Sequence, residues 1–411
     1  MTKRRLWVAS ELYWPEETST GFFLTRIAEG LADDYDVRVI AGRPTYSQRH
    51  AAVDTKERRN GVTIHRVAST RFNKDSLALR AINLLSFSVS AFFFTLFNVR
   101  RGDLTLVVTN PPTLPLVIGV AAGLRCARRI LLVHDVYPDV LVAVGFASPS
   151  SLLYRLLDAI FTRILAMFDR IVVLGRDMYS VIERKTKRFD HLRIIENWGD
   201  VDEVFPMPDK AATFRAVNGL AGKTIVQFSG NIGRTHDVDA LLDTAEAVSD
   251  DTRLHVLFVG YGGKADYVER QIRARGLKNV TFLPRQPREK LNEMLNASEL
   301  TVISLTDKML GLSVPSRMYN VMAAGAPVFA IADPASELSS TVEEKDAGWT
   351  ADYGAASELT RVVRRLCDEL REEAMRRGEQ GRAAVLARYR FENAIDAYRR
   401  LLAEFDSEEA S

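Results

Sequence analysis

The sequence predicts an α/β protein made of two doubly wound parallel sheets, and three observations carry that prediction. Short runs rich in Val, Ile and Leu alternate with helix-patterned stretches along the chain, as strand–helix–strand units do. The runs are continuously apolar, as strands are when helices cover both faces of a parallel sheet. Near the middle the rhythm breaks at "ENWGDVDEVFPMPDK", residues 196–210, which is acidic, proline-containing and weakly periodic. A chain of 411 residues is too long for one ordinary core and divides there. The expected organisation is a domain over residues 1–200, a second over 201–390, and a C-terminal helix within 391–411 that packs back on the first.

The strand candidates of the first half are "LWVAS", "DVRVIAG", "VTIHRVA", "DLTLVVTNPP", "RRILLVHDVYP", "RIVVLG" and "LRIIEN". Connectors such as "GFFLTRIAEGLADD" place apolar residues three and four apart, which predicts amphipathic helices. The second half repeats the pattern with "KTIVQFSGNIG", "LHVLFVGYGG", "NVTFLPRQ", "LTVISLT" and "APVFAIAD". Within it, "GLSVPSRMYNVMAAGAP", residues 311–327, reads as a strand-to-helix turn. Ser313 suits a helix cap, Pro315 its first turn, and Gly325 its end.

Composition excludes several classes. Hydrophobic residues at 47% and charged residues at 26% describe a globular protein, and a net charge of +2 gives no reason to expect a nucleic-acid partner. Two cysteines, Cys126 and Cys367, supply neither a disulfide framework nor a thiolate metal cluster, which fits a reducing cytosol. The apolar run near the start is about five residues long, too short for a signal peptide. One stretch departs from the pattern: residues 77–101 are almost continuously apolar, with Arg71, Lys74 and Arg80 before and Arg100 and Arg101 after. A helix buried against a sheet and a helix lying in a membrane interface fit equally well. A bilayer span fits less well, because strands of the same sheet resume directly after it.

Ligands of open parallel sheets bind beyond the carboxyl ends of the strands, so the loops there hold the candidate residues. After the first strand, "TSTG" enters a helix, and Thr20 and Gly21 stand where amides and hydroxyls meet an anion; an ordinary capped turn is the competing reading. "HDVYPD", residues 134–139, gathers His134, Asp135 and Asp139, either around a reacting hydroxyl or as a structural His–Asp pair. In the second half "FSGNIGRTHD" offers Gly230, Asn231, Arg234 and His236 to a phosphate. Gly260 in "FVGYGG" serves either a ligand or close packing, and Pro284 and Arg285 in "FLPRQP" line a flat base. The turn at Ser313, Val314, Pro315, Ser316 and Arg317 completes the set. Together these loops suit a nucleoside diphosphate held in a cleft between two facing domains. No phosphate-loop motif, full dinucleotide fingerprint, Asp-x-Asp pair or His/Cys cluster is present, so no metal and no cofactor are expected.

Taken in order, "YWPEETSTGFFLTRIAEGLADDYDVRVIAG", "VHDVYPD", "IIENWGDVDEVF", "FSGNIG", "FVGYG", "VTFLPRQPREKLNEMLNASELTVI" and "VPSRMYNVMAAGAPV" resemble the retaining glycosyltransferases of family 4 over nearly the whole chain. That resemblance implies the GT-B fold, two Rossmann-like domains facing an interdomain cleft. It is strongest to bacterial enzymes that build O-antigen, capsule or colanic-acid-type exopolysaccharide. It implies a nucleotide-sugar donor, often UDP-linked, bound by the C-terminal domain. It also implies a polyprenyl-diphosphate-linked or oligosaccharide acceptor, bound near His134 and Asp135, and a cytoplasmic enzyme peripheral to the inner face of the cell membrane. The family's paired glutamates are replaced here by Leu312 and Asn320, and Asn231 stands where an arginine is usual. Arg234, His236 and Arg317 are the substitutes to consider. Altered donor recognition is the favoured consequence. An epimerase of the same fold and a degenerate nucleotide-binding scaffold are the rival readings.

Overall fold

The first strand, β1 (Arg5–Ser10), has parallel partners on both sides, and this placement organises the N-terminal half. A computed structural model describes residues 3–44, 53–70, 72 and 77–410. The remaining strands of the first sheet are β2 (Asp36–Ala41), β3 (Lys56–Arg59), β4 (Val62–Arg66), β5 (Leu104–Val108), β6 (Arg128–Leu132), β7 (Arg170–Val173) and β8 (Leu192–Ile194). Their order is β3-β4-β2-β1-β5-β6-β7-β8, parallel throughout except for β3 against β4. Among the described residues the intervening helices are α1 (Ser19–Gly30), α2 (Leu77–Asn98), α3 (Leu114–Leu124), α4 (Asp139–Ala143), α5 (Leu152–Leu165) and α6 (Arg176–Thr186). From β1 the chain steps one way to β2 and β4, then crosses back to β5 and steps the other way to β8. Right-handed crossovers therefore put α1 on one face and α2, α3, α5 and α6 on the other.

The second sheet contains β9 (Thr224–Asn231), β10 (Leu254–Tyr261), β11 (Val280–Pro284), β12 (Leu300–Ser304), β13 (Val328–Ile331) and β14 (Gly348–Ala351), in the order β11-β10-β9-β12-β13-β14. All of its pairings are parallel. Its helices are α7 (Pro208–Val217), α8 (Asp239–Ala247), α9 (Ala265–Ala274), α10 (Leu291–Leu295), α11 (Arg317–Ala323), α12 (Glu337–Glu344), α13 (Ala356–Arg365) and α14 (Arg371–Ala387); α15 (Phe391–Ala410) follows. Val226, Phe228, Val256, Phe258, Leu300 and Val302 form the centre of this core, each at most 1% exposed. Each such side chain contributes about 1.5–3 kcal/mol.

The chain forms two compact units, one of Met1–Leu141, Ala147–Glu196 and Ile395–Ser411, the other of Val142–Phe146 and Asn197–Ala394. The C-terminal part of α15 is tied to the first unit by ions and by packing. Glu404 takes Arg170 and Arg193, each at 2.8 Å, and Arg399 reaches Asp34 at 2.7 Å. Phe405 is fully buried beneath the Arg170 guanidinium.

The apolar stretch is neither a fully enclosed core helix nor a free one. Asn83, Phe87, Ser88, Ala91 and Thr95 of α2 are buried, and Phe94 packs on Trp7 and His65. The opposite side is open: the window Ala81–Asn98 has a mean hydropathy of 1.5 yet only 28% of it is buried. Because β4 and β5 on either side of α2 belong to one sheet, the helix lies along that sheet. Arg71 and Lys74 lie outside the described residues, as does the side chain of Arg80.

Candidate functional site

In the second sheet the strand order reverses between β9 and β12, so the loops after these two strands diverge and leave a crevice. From β9 come Ser229, Gly230 and Asn231. Beyond β12 comes Arg317, the first residue of α11. Its Nη1 donates to the Ser229 carbonyl at 2.9 Å, and its guanidinium lies over the Phe228 ring at 4.5 Å. Gly230 has a φ of +116°, and a Cβ there would stand 3.5 Å from Arg317 Nη1. The glycine thus accommodates the left-handed backbone, while a methyl group there would only touch the guanidinium.

His236 stands beneath this arginine. Its Nδ1 lies 2.8 Å from the Ser304 carbonyl, so Nδ1 carries the proton and Nε2 accepts from Arg317 Nη2 at 3.1 Å. Burial, then the Arg317 charge, holds its pKa well below the ordinary histidine value. The expectation that His236 substitutes as a cation is therefore corrected: it is a neutral group that orients Arg317. Burial lowers the Arg317 pKa to about 10, which leaves it charged at neutral pH. Among the described residues no carboxylate pairs with it, and the exposed Arg234 is likewise unpaired. Two cations, one of them desolvated, stand without counter-ions at a crevice mouth. Such an arrangement binds anions.

The neighbouring loops are packed together along the strand ends. A Cβ on Gly262 would meet Asn231 Oδ1 at 2.4 Å, and one on Gly260 would meet the Gly230 carbonyl oxygen at 1.9 Å. Close backbone approach thus accounts for Gly260. Pro284 ends β11, and Arg285 lies over the Tyr261 ring at 5.3 Å. At the 311–327 turn the cap is corrected. The helix begins at Arg317 with Ser316 in the cap position, while Ser313, Val314 and Pro315 precede it. A residue before proline is driven from helical backbone, so Val314 cannot open a helix and the start moves past Pro315. Leu312 and Val314 are buried, each at 6% exposure.

Asn320 is already engaged. Its Oδ1 accepts the Asp200 amide at 2.9 Å, and the Asp200 carboxylate pairs with Arg288 at 2.8 Å. Nδ2 and the second lone pair of Oδ1 are left for a ligand, so Asn320 offers a neutral amide where a glutamate would offer a charged acceptor. Replacing Asn320 by Ala leaves the Asp200 N–H without its acceptor and should cost about 1–3 kcal/mol, read as a lower midpoint in denaturant unfolding.

In the first sheet the order reverses between β1 and β5. Thr18 caps α1, accepting from Gly21 N at 3.2 Å, and a Cβ on Gly21 would clash with the Glu16 carbonyl at 2.6 Å. Thr109, just after β5, accepts from the amides of His134 at 3.0 Å and Asp135 at 3.2 Å. His134 Nδ1 is 3.4 Å from Thr20 Oγ1, and its buried Nε2 has no partner among the described residues. Thr20, Thr109, His134 and Asp135 therefore converge. Thr109 is the member that sequence reasoning missed, its one signal being a hydroxyl at a strand end in "VVTNPP". Asp139 does not join them: it accepts from Tyr154 at 3.0 Å and pairs with Lys185 at 2.7 Å, which corrects the expected cluster. Among the described residues no three His, Cys, Asp or Glu side chains gather as metal ligands would.

Burial lowers the His134 pKa to about 4, so its imidazole is neutral at pH 7. The unfolded chain takes up this proton near pH 6.5 and the folded chain refuses it until about pH 4. Stability should therefore fall as pH drops through that window, by at most about 3 kcal/mol from this group. His65, His191 and His255, also lowered chiefly by burial, act in the same direction. A melting temperature that stayed flat from neutrality down to pH 4.5 would contradict this.

Two family models align with the chain, one to each half. Residues 20–198 match the glycosyl transferase 4-like domain, and residues 210–384 match the glycosyl transferases group 1. The chain belongs to the GT-B glycosyltransferases. This glycosyltransferase is 29% identical over 367 residues to a Pseudomonas aeruginosa protein named as the glycosyltransferase WbjE, covering 89% of this chain and 90% of that one. It is 25% identical over 343 residues to WcaI of Escherichia coli K12, named as a colanic acid biosynthesis glycosyl transferase, covering 80% and 84%. Among solved structures, HepE of Anabaena with UDP and glucose superimposes with a TM-score of 0.74 at 14% identity, over 98% of this chain and all of that one. Sucrose-phosphate synthase of Thermosynechococcus elongatus gives 0.76 at 17% identity with the same coverage, so the likeness to both is one of fold.

Proposed function

We propose that this glycosyltransferase moves a sugar from a UDP-linked donor to a lipid-linked or oligosaccharide acceptor in bacterial surface-polysaccharide synthesis, with retention and without a metal. The observation that carries the reading is Arg317: a half-buried cation whose partners among the described residues are neutral, at the switch point of the second sheet. There it would neutralise the departing diphosphate, helped by Arg234 and the amides around Gly230. The UDP and UDP-glucose bound by HepE and the biosynthetic name of WcaI support the donor and the pathway class. The replacement of the family's glutamates by Leu312 and Asn320 supports a donor sugar recognised differently.

The acceptor hydroxyl would be oriented by His134, whose neutral imidazole presents Nε2, with Thr20 and Asp135 beside it. Retention would proceed by front-face attack, with no covalent protein intermediate. The enzyme would work in the cytoplasm, touching the inner face of the membrane through α2. The test is turnover of UDP-sugars with and without a polyprenyl-diphosphate-linked acceptor. Turnover only with acceptor is expected; turnover of donor alone to an isomer would establish an epimerase instead. Because arginines take the place of a cation, EDTA should leave the initial rate within about twofold. A neutral His134 also predicts no rate limb from this residue near pH 6.5, so a His134→Gln variant that abolishes such a limb would count against its role.

A further inference from the structure

The open face of α2 is one part of a wider surface. Ile82, Leu85, Val89, Phe93 and Phe97, spaced as one helical stripe, are exposed on it, Phe97 by 76%. Leu116, Val120 and Leu124 repeat every fourth residue on α3 and are also exposed. On α5 the same is true of Leu152, Leu153, Leu156 and Ile160, with Leu152 82% exposed. More than half of the exposed large hydrophobic side chains among the described residues lie on these three helices.

The three helices form one layer. Right-handed crossovers put them on the same face of the first sheet. Ser88 of α2 bonds Thr113 at the start of α3 at 2.7 Å, and Gly119 of α3 packs against Met167 and Phe168, just beyond α5. Their inner sides are buried in the sheet, so their outer sides are adjacent. An apolar area spanning three helices exceeds the scattered exposure that needs no explanation.

Charge identifies the occupant. In parallel strand–helix units every helix ends at the strand-amino edge of the sheet, and that edge carries Arg100 and Arg101 after α2, Arg125 after α3 and Arg163 in the last turn of α5. All four are exposed, and none has a carboxylate partner among the described residues. No acidic residue occurs in α2 or α3, and the one in α5, Asp158, is held by Lys185. We infer that the outer faces of α2, α3 and α5 together seat the enzyme on an anionic lipid bilayer, the apolar stripes entering the acyl boundary and the arginine edge taking phosphate headgroups. This deepens the membrane contact proposed for α2 and rests on that reading for its purpose.

The test is co-sedimentation of the full chain with vesicles of phosphatidylglycerol and phosphatidylcholine, against vesicles of phosphatidylcholine alone. Wild type should bind the anionic vesicles. The pairs Leu85→Glu with Phe93→Glu, Leu152→Glu with Leu156→Glu, and Arg125→Glu with Arg163→Glu should each weaken binding by about tenfold or more. Milder Leu152→Ser with Leu156→Ser variants, checked by unchanged thermal melting, separate lost binding from lost folding. Wild type that stays in the supernatant overturns the proposal. So does an α5 pair that binds like wild type, since the surface would then be α2 alone. A third contrary result is an α5 pair that converts a dimer to monomers with vesicle binding intact, which would make the occupant a second copy. The vesicles hold neither nucleotide sugar nor acceptor, so this result is independent of whether the transfer reaction is correct.

Discussion

Arg317→Ala is expected to lower kcat/KM by about 10²–10³, the effect of removing one preorganised charge from a developing anion. The side chain is half-buried, fixed by Ser229 and His236, and without a carboxylate partner among the described residues, so its charge is available to a ligand without reorganisation. Donor affinity should fall with the rate, because a diphosphate is charged before its bond to sugar breaks. Arg317→Lys keeps the charge but loses the planar fork, and should recover only part of the activity. Thermal melting of the unliganded variant should change little, since the removed group is a half-buried cation whose desolvation offsets its hydrogen bonds. An Arg317→Ala enzyme with unaltered turnover would remove the diphosphate site from α11.

Gly260→Ala is expected to act through stability. A methyl group at this position would lie 1.9 Å from the Gly230 carbonyl oxygen of the neighbouring strand, and backbone cannot rotate aside as a side chain can. Strands β9 and β10 would have to separate at their carboxyl ends, beside the switch point of the second sheet. Such overpacking costs about 3 kcal/mol, or roughly 10 °C in melting temperature for a domain of this size. Gly230 would shift with its partner, so surviving protein should also bind donor more weakly. A normal melting temperature for this variant would mean that the strands are more pliable than their packing implies.

The sequence carried most of the sheet strands because parallel, doubly covered strands are apolar along their whole length. It hid β3, "KERR", and β14, "GWTA", since edge strands need no apolar run. The candidate loops were legible from the rule that sites follow strand ends, and Gly230, Asn231 and Arg317 do meet at the switch point. What the residues then do was less legible. The neutrality of His236 depends on burial and on the Arg317 charge 81 residues away, which no local pattern records. Asn320 looks like a free amide until Asp200 is found against it. The open side of α5 was hidden for a different reason. "LLYRLLDAIF" has the spacing of any amphipathic helix, and a sequence cannot say that its outer leucines meet nothing.

The return of α15 to the first unit has a consequence for synthesis. A ribosome delivers β1 to β8 first, but the acids that hold Arg170 and Arg193 are delivered after the whole second unit. The segment Asn197–Ala394 can acquire its core while the tail is still being translated, whereas the unit begun first is finished last. Until then a cluster of arginines and the seat of Phe405 face solvent, so the nascent first unit would be the one most in need of protection.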